Sequence, residues 1–492
     1  MINLKFRSKV TFALSLIIIL SVALGTWYYR SQQNSTESTD AVIETPKPQG
    51  KNIKALNYSQ LKIKTAANIY QPKIQKKLHH QVQALEKKKN YSFNHMLILA
   101  NPYLTDTTSL YLHFKTKQPV KISYRVKSGK KISTFKRTLY NPNGTYAKKH
   151  SYQLIGLIGG HKNQITITAT TKAGTKTTKT FTYHAPQLVG KEANRLKVKN
   201  GSSTQKLTSG LYAFIGDKNL TQRATYLVDN DGYIRGEIPL IGYNSLRLVQ
   251  RGNYLYFAVN NDQIVKMDRL GRIIKSYSTK KSGYEIHHDF AVDSSGNLIS
   301  LATSLQAKKR EKRVEDQIIK ISGQTGKVTR LLDFKKLMPA LYKKATSLET
   351  ETSNKGYHDV IHANTIQLLN DNQILISSRE TSTIMKISDL ETKPKLDYLI
   401  ADSSVWQGID NYSNLLLKKE TNFVSQAGQH SVTYTPTSQK GIYYLEMFNN
   451  NSAIMNSRPS FKWTNYPNRL DMLNKSFKNS LITIYAYDKK VG

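Results

Sequence analysis

Cysteine is missing altogether from this 492-residue chain, which excludes disulfides and thiol chemistry. Acidic residues are scarce: 33 Asp and Glu stand against 73 Lys and Arg, a formal charge of +40 that favours any polyanion nearby. Nucleic acid is the first partner such a balance suggests, but the start of the chain argues against it. Lys5, Arg7 and Lys9 precede an uncharged apolar run over 10–29, long enough at about 1.5 Å per residue to cross a bilayer about 30 Å thick. Basic residues ahead of the run keep that end cytoplasmic, and Trp27, Tyr28 and Tyr29 resemble an interfacial belt beyond it. The remainder is therefore expected outside the cell on a single-pass anchor. A cleaved signal peptide ending near Ser21-Val22-Ala23 or Ala23-Leu24-Gly25 is the alternative and would make the protein secreted. The length of the run favours the anchor. An exported chain without disulfides also suits a Gram-positive surface, where teichoic acids would attract a basic protein.

What is present divides the rest. After the anchor or signal segment (1–30), residues 31–57 are rich in Ser, Thr, Gln, Asn and Pro, and read as a flexible spacer. The 58–95 segment is helical in pattern, with Ile74, Leu78, Val82 and Leu85 at spacings of three or four between Gln71 and Lys89. Over 96–187, alternating segments such as 110–114, 120–126 and 165–169 are separated by Gly, Asn and Lys-rich turns, as in a small antiparallel β-sandwich of immunoglobulin size. From 188 to 492 the chain repeats strand hairpins at irregular spacing: 211–238, 246–277, 288–334, 362–400 and 430 onward. Three of them contain the related strands Gln263–Asp268, Gln317–Ser322 and Thr383–Ser388, each running Ile-x-Lys-Ile/Met to Asp or Ser, as the third strand of a propeller blade does.

Three hairpins carry a histidine at the entry strand. His287-His288-Asp289 precedes an apolar hairpin turning at Ser294-Ser295-Gly296-Asn297. His362-Ala363-Asn364-Thr365 precedes one turning at Asn370-Asp371-Asn372 and leading to Ser377-Ser378-Arg379. Gly428-Gln429-His430 opens the last. If the repeats surround an axis, the histidines converge, and the fourth unit's hairpin brings Arg379 to the same rim as His362. In an extended strand His362 and Asn364 share a face, whereas His287 and His288 point to opposite faces, so only one of that pair reaches the axis; His288 is slightly favoured.

The order HHD, HANT, SSR and GQH across roughly 150 residues resembles the bacterial arylsulfate sulfotransferases. That resemblance implies an all-β chain: a six-bladed propeller behind an N-terminal β-sandwich opening at Asn101-Pro102-Tyr103 and contributing to a homodimer. Only about five units can be counted, so the propeller is expected to be incomplete at its C-terminal end, with strand edges left open. The resemblance also implies transfer of a sulfuryl group from a phenolic sulfate donor to a phenol acceptor through a sulfohistidine on His430, without nucleotide donor, cofactor or metal. His362, Arg379 and one histidine of the 287–288 pair, with Asn364, would hold the sulfuryl oxygens.

Chemically such a set makes sense. Sulfuryl transfer needs a nucleophile of modest basicity, which a neutral imidazole provides near pH 7, and fixed cations around the oxygens. Taken singly, each residue has a plainer role: a rim or core histidine, an inter-blade salt bridge for Arg379, a strand-end hydrogen bonder for Asn364. Joint occurrence at matching places sets them apart. Two other readings use the same features. The histidines with Asp289 or Asp359 could ligate a metal, although Arg379 would oppose a divalent ion. A non-catalytic surface propeller could bind anionic glycans or wall polymers through its charge. The basic runs 87–89 and 308–313 read as solvated surface.

Overall fold

Apolar runs that are buried on both faces make the central strands of this protein, and polar turns of Asp, Asn and Gly join them into antiparallel meanders. The computed structural model describes residues 45–46, 50, 52–190, 192–199, 201, 207–208, 210–215, 224–240, 246–347, 354–420, 423–452, 455–461, 463 and 480–489. The apolar run over 10–29 lies outside them, and among the described residues no helix is long and apolar enough to cross a membrane. Regular structure begins before the expected end of the spacer: Ile53–Lys54 pairs in parallel with Leu97–Ala100, burying Ile53.

The helical pattern is realised as Pro72–Lys88, with proline in the first turn, where its missing N–H costs nothing, and Ile74, Leu78 and Val82 buried. Its buried Gln75 donates to the carbonyls of Ile69 (2.7 Å) and Tyr103 (3.0 Å) and accepts from the Ile273 amide (3.2 Å), so this one amide ties helix, β-domain and propeller together. In the β-domain, the segments read as two strands at 110–114 and 120–126 are one long strand, Leu110–Lys127, with a register shift between Lys115 and Val120, beside Pro119. Its first half pairs with Leu97–Ala100 and Ala147–Leu154, and its second half with Phe135–Thr138 and Lys162–Thr171.

Five further sheets follow. The first comprises Tyr212–Ile215, Ala224–Val228 and Ile234–Pro239. The second is Val249–Arg251, Tyr254–Asn260, Gln263–Met267 and Ile273–Ser278. The third is Tyr284–Val292, Leu298–Ser304, Gln317–Ile321 and Val328–Asp333. The fourth is Ala363–Asn370, Gln373–Ser378, Thr383–Ser388 and Lys395–Ile400. The fifth is His430–Pro436, Ile442–Asn449 and Leu481–Asp488. The related Ile-x-Lys strands are indeed third strands. Successive sheets pack face to face through apolar cores: Tyr256 and Ile264 against Phe290 and Ile319, Leu301 and Ile318 against Ile366 and Ile376, Leu375 and Ile384 against Val432 and Leu445. The first strands of the third, fourth and fifth sheets lie side by side, which makes each sheet a blade and those strands the inner wall. The arrangement is propeller-like with five blades among the described residues, as many as can be counted in the sequence and not the six that the resemblance implies. One apolar core runs from the β-domain into the second blade through Phe257, Val265 and Ile273.

Candidate active site

Each of the three inner strands is irregular close to its histidine, His362 standing one residue before its strand. Register shifts fall between Ile286 and Phe290, Ala363 and Thr365, and His430 and Thr433. The left-handed residues there are His288 (φ 50°), His362 (φ 46°) and Ser431 (φ 55°). A bulge adds a residue and re-aims the side chains beside it, so strict alternation fails at these positions. His287 and His288 therefore do not part to opposite faces: their Nδ1 atoms are 3.0 Å apart and their ring centroids 5.2 Å. The ring of His288 also meets that of His362 edge to face at 4.9 Å.

The fourth and fifth blades are stitched together by the residues around His430. Gln429 is fully buried, and its Nε2 donates to Ser377 Oγ (3.0 Å) and to the carbonyls of Ser378 (3.1 Å) and Thr383 (3.2 Å). Asn364 Nδ2 donates to the Gln429 carbonyl at 2.8 Å. Asn364 thus holds the backbone leading into His430 with one N–H. Gly428, at φ 58°, turns the chain close to Ser452, whose carbonyl would be 3.0 Å from an added Cβ. His430 Nδ1 lies 3.0 Å from the Gly428 carbonyl. A carbonyl only accepts, so Nδ1 carries the proton and the lone pair is on Nε2.

Arg379 leaves the second strand of the fourth blade, its amide donating to the His362 carbonyl at 3.2 Å and its Nη2 3.6 Å from Glu380 Oε2. The hairpin brings the backbone of Arg379 against that of His362. Two carboxylates absent from the expected sulfuryl-binding set complete the cluster. Asp359, fully buried, and Glu315, at the entry to the third strand of the third blade, both reach His362 Nδ1, Glu315 Oε2 at 2.9 Å. Asp359 was visible three residues before His362, but only as a possible metal ligand. Nothing local to Glu315 in the sequence marks it.

Burial alone would neutralise His362; Asp359 and Glu315 outweigh it and hold the imidazole up to about 10, so it is a cation at neutral pH. Burial, His362 and Arg379 together push His430 below the usual range, and burial takes His288 down to about 3 and lowers His287. The site thus presents two cations, His362 and Arg379, beside neutral imidazoles. Asp289 is occupied elsewhere: it accepts from Arg247 (3.2 Å) and from the Ile366 amide (3.0 Å), tying the second, third and fourth blades.

Donor atoms of His287, His288 and Glu315, and of Glu315, Asp359 and His362, lie within 4.8 Å of one another, close enough to surround an ion. The second set uses His362 Nδ1, which hydrogen-bonds to Asp359 and lies 2.9 Å from Glu315 Oε2, and Arg379 adds a fixed positive charge alongside, so the donor set fits a proton better than a divalent metal. A separate cavity of about 750 Å³ opens between the β-domain and the second blade, lined in part by Arg137, Tyr140, Tyr254 and Arg269, and shares no residue with the cluster. The basic run 308–313 is not all solvated: Arg313 is buried and bound to Asp333 at 3.0 Å and to Asp316.

These features define a propeller-like β-protein whose inner strands gather histidines and an arginine, behind a small β-domain. Residues 197–491 match the Arylsulfotransferase (ASST) family model and residues 97–186 the Arylsulfotransferase Ig-like domain model. The chain belongs to the arylsulfotransferase family. No curated protein sequence matches it significantly. Among solved structures it is similar to a complex of KlAtg21 with the coiled coil of AgAtg16 (8% identity, TM-score 0.28, 60% of this chain and 80% of that one). It is also similar to BamB from Moraxella catarrhalis (10% identity, TM-score 0.23, 61% and 71%). Similarity at that level bears on neither fold nor activity.

Proposed function

We propose that the protein transfers a sulfuryl group from a phenolic sulfate to a second phenol through a sulfohistidine on His430. Family membership supports arylsulfate sulfotransferase activity in general. The observation that carries the finer reading is the Gly428 carbonyl on His430 Nδ1, which leaves the Nε2 lone pair available in a site that also holds the cations His362 and Arg379. Nε2 attacks the sulfur, the N–S bond forms as the S–O bond breaks, and the phenolate leaves with its electron pair. The acceptor phenol then attacks the same sulfur, the N–S bond breaks, and the phenolic proton passes to solvent or a nearby base. His362 and Arg379 would neutralise charge on the sulfuryl oxygens, Asn364 and the 287–288 pair supporting them.

The test is incubation with an aryl sulfate and a phenol, without nucleotide donor. Acceptor-dependent phenol release that falls by at least about a thousandfold in His430→Ala supports the reading, as loss of the nucleophile requires. Turnover unchanged in that variant sinks it. Salt-sensitive binding of an anionic glycan without any turnover would favour the non-catalytic alternative, which the +40 charge supports. Anchoring by residues 10–29, an extracytoplasmic site and a dimer through the Ig-like domain complete the proposal. Fractionation of cells and the mass of the purified protein test these three.

A further inference from the structure

We infer that Glu315 and Asp359 are positioning residues for the transfer: together they fix His362 as an imidazolium, so the sulfuryl group meets two permanent cations while His430 stays neutral. The role in transfer rests on the function proposed above; the pairing itself does not.

Geometry carries the inference. Asp359, fully buried, and Glu315, partly buried, converge on one nitrogen, and like charges so placed favour a positive charge between them. Both are held rigidly. Glu315 sits in the left-handed region (φ 56°), a conformation an ordinary side chain adopts only when its surroundings impose it. Its amide donates to Thr303 Oγ1 at 2.9 Å, and its carbonyl accepts from the Ala363 amide at 3.2 Å, directly after His362. Asn354 Nδ2 then bridges the pair, 3.2 Å from Glu315 Oε1 and 2.9 Å from Asp359 Oδ2. The carboxylates thus come from the third blade and from the approach to the fourth, and clamp the ring from behind. Of the groups around His362, His287, His288 and His430 are neutral near pH 7 and Arg379 is positive, so none of these keeps its proton; Glu380, against Arg379 and pushed up to about 7 by burial, is a further carboxyl nearby. Glu315 also draws its own low protonation tendency from His362, which places the pair's negative charge on the carboxylates.

The experiment uses the full chain with ¹⁵N-labelled histidine, the His362 signals being assigned by their loss in His362→Asn. In the wild type the His362 nitrogens are expected to show imidazolium shifts from pH 6 to 9. In Glu315→Gln/Asp359→Asn they are expected to show neutral-imidazole shifts across that range, because burial then acts unopposed. With an aryl sulfate, Glu315→Gln should raise KM about tenfold, with kcat changed less and the loss growing with pH, and Glu315→Asp should restore part of it. A merely structural role would change stability without moving the histidine titration. Neutral His362 in the wild type at pH 7 overturns the inference. So does one equivalent of a divalent metal in the purified protein that disappears in Glu315→Gln. If the wild type turns over no aryl sulfate, the transferase reading and the positioning role fall together, and the nitrogen shifts still decide whether the clamp holds a proton.

Discussion

At the scale of single residues, the division of labour among the imidazoles follows from what each ring touches. His362 lies against two carboxylates and is charged; His288 packs on two imidazoles with Glu315 farther off at 3.8 Å, and burial keeps it neutral; His430 gives its Nδ1 proton to a carbonyl and lies near positive charge. A nucleophilic His430 must be unprotonated, and its protonation is depressed below the usual 6.5 by burial, His362 and Arg379. Activity should therefore persist below pH 6.5 and fall only as pH drops through the lowered value. Single-turnover phenol release measured from pH 4 to 8 checks this: an acid limb centred at or above 6.5 would mean that the two cations do not act on His430. The residues legible in the sequence were those carrying the motif. The carboxylates that set His362 were hidden because their partner lies across a blade boundary, which residue spacing along one strand does not report.

At the scale of elements, the hairpins, their polar turns and the third strands of the blades could all be read from periodicity, since a two-residue repeat and turn chemistry are local properties. The bulges could not. A bulge is one residue accommodated against a partner strand, and its cost and reason are both non-local. It is also why strict alternation misplaces the His287 and His288 pair. Ser431 offers a clean test of this element, being an exposed residue in the left-handed region directly after His430. Ser431→Gly should relieve the backbone strain and stabilise the protein by up to about 1 kcal/mol, seen as a higher Tm. A lower Tm would mean that the bulge at this strand is not strained. The long strand Leu110–Lys127 teaches the complementary lesson: exposed polar residues around Pro119 look like a connection, yet pairing to different partners on either side keeps the backbone extended through them.

At the scale of the molecule, the Ig-like domain and the propeller share both apolar core and buried polar groups, and those groups titrate. Asp106 of the Ig-like domain accepts from the Thr108 amide (3.2 Å) and the Glu237 amide of the first blade (3.4 Å), and burial pushes it up to about 7. Because the folded state holds this proton up to about 7 while the unfolded chain releases it near 3.9, stability falls as pH rises between the two and then levels off. Asp106→Asn keeps the acceptor and removes the proton. Its Tm relative to wild type should therefore climb from pH 4 to 7, by an amount equivalent to a few kcal/mol; a difference flat across that range would sink the argument. The charge of +40 acts at the same scale but on capture, not folding. A strongly basic protein attracts an anionic donor before any contact forms, and salt screens that attraction. In a ping-pong reaction, kcat/KM for the aryl sulfate should fall several-fold between about 0.02 and 0.3 M salt, while kcat/KM for a neutral phenol acceptor stays level. Equal loss for both substrates would show that salt perturbs the fold or the covalent step, and equal indifference would show that the protein's charge serves a partner other than the substrate.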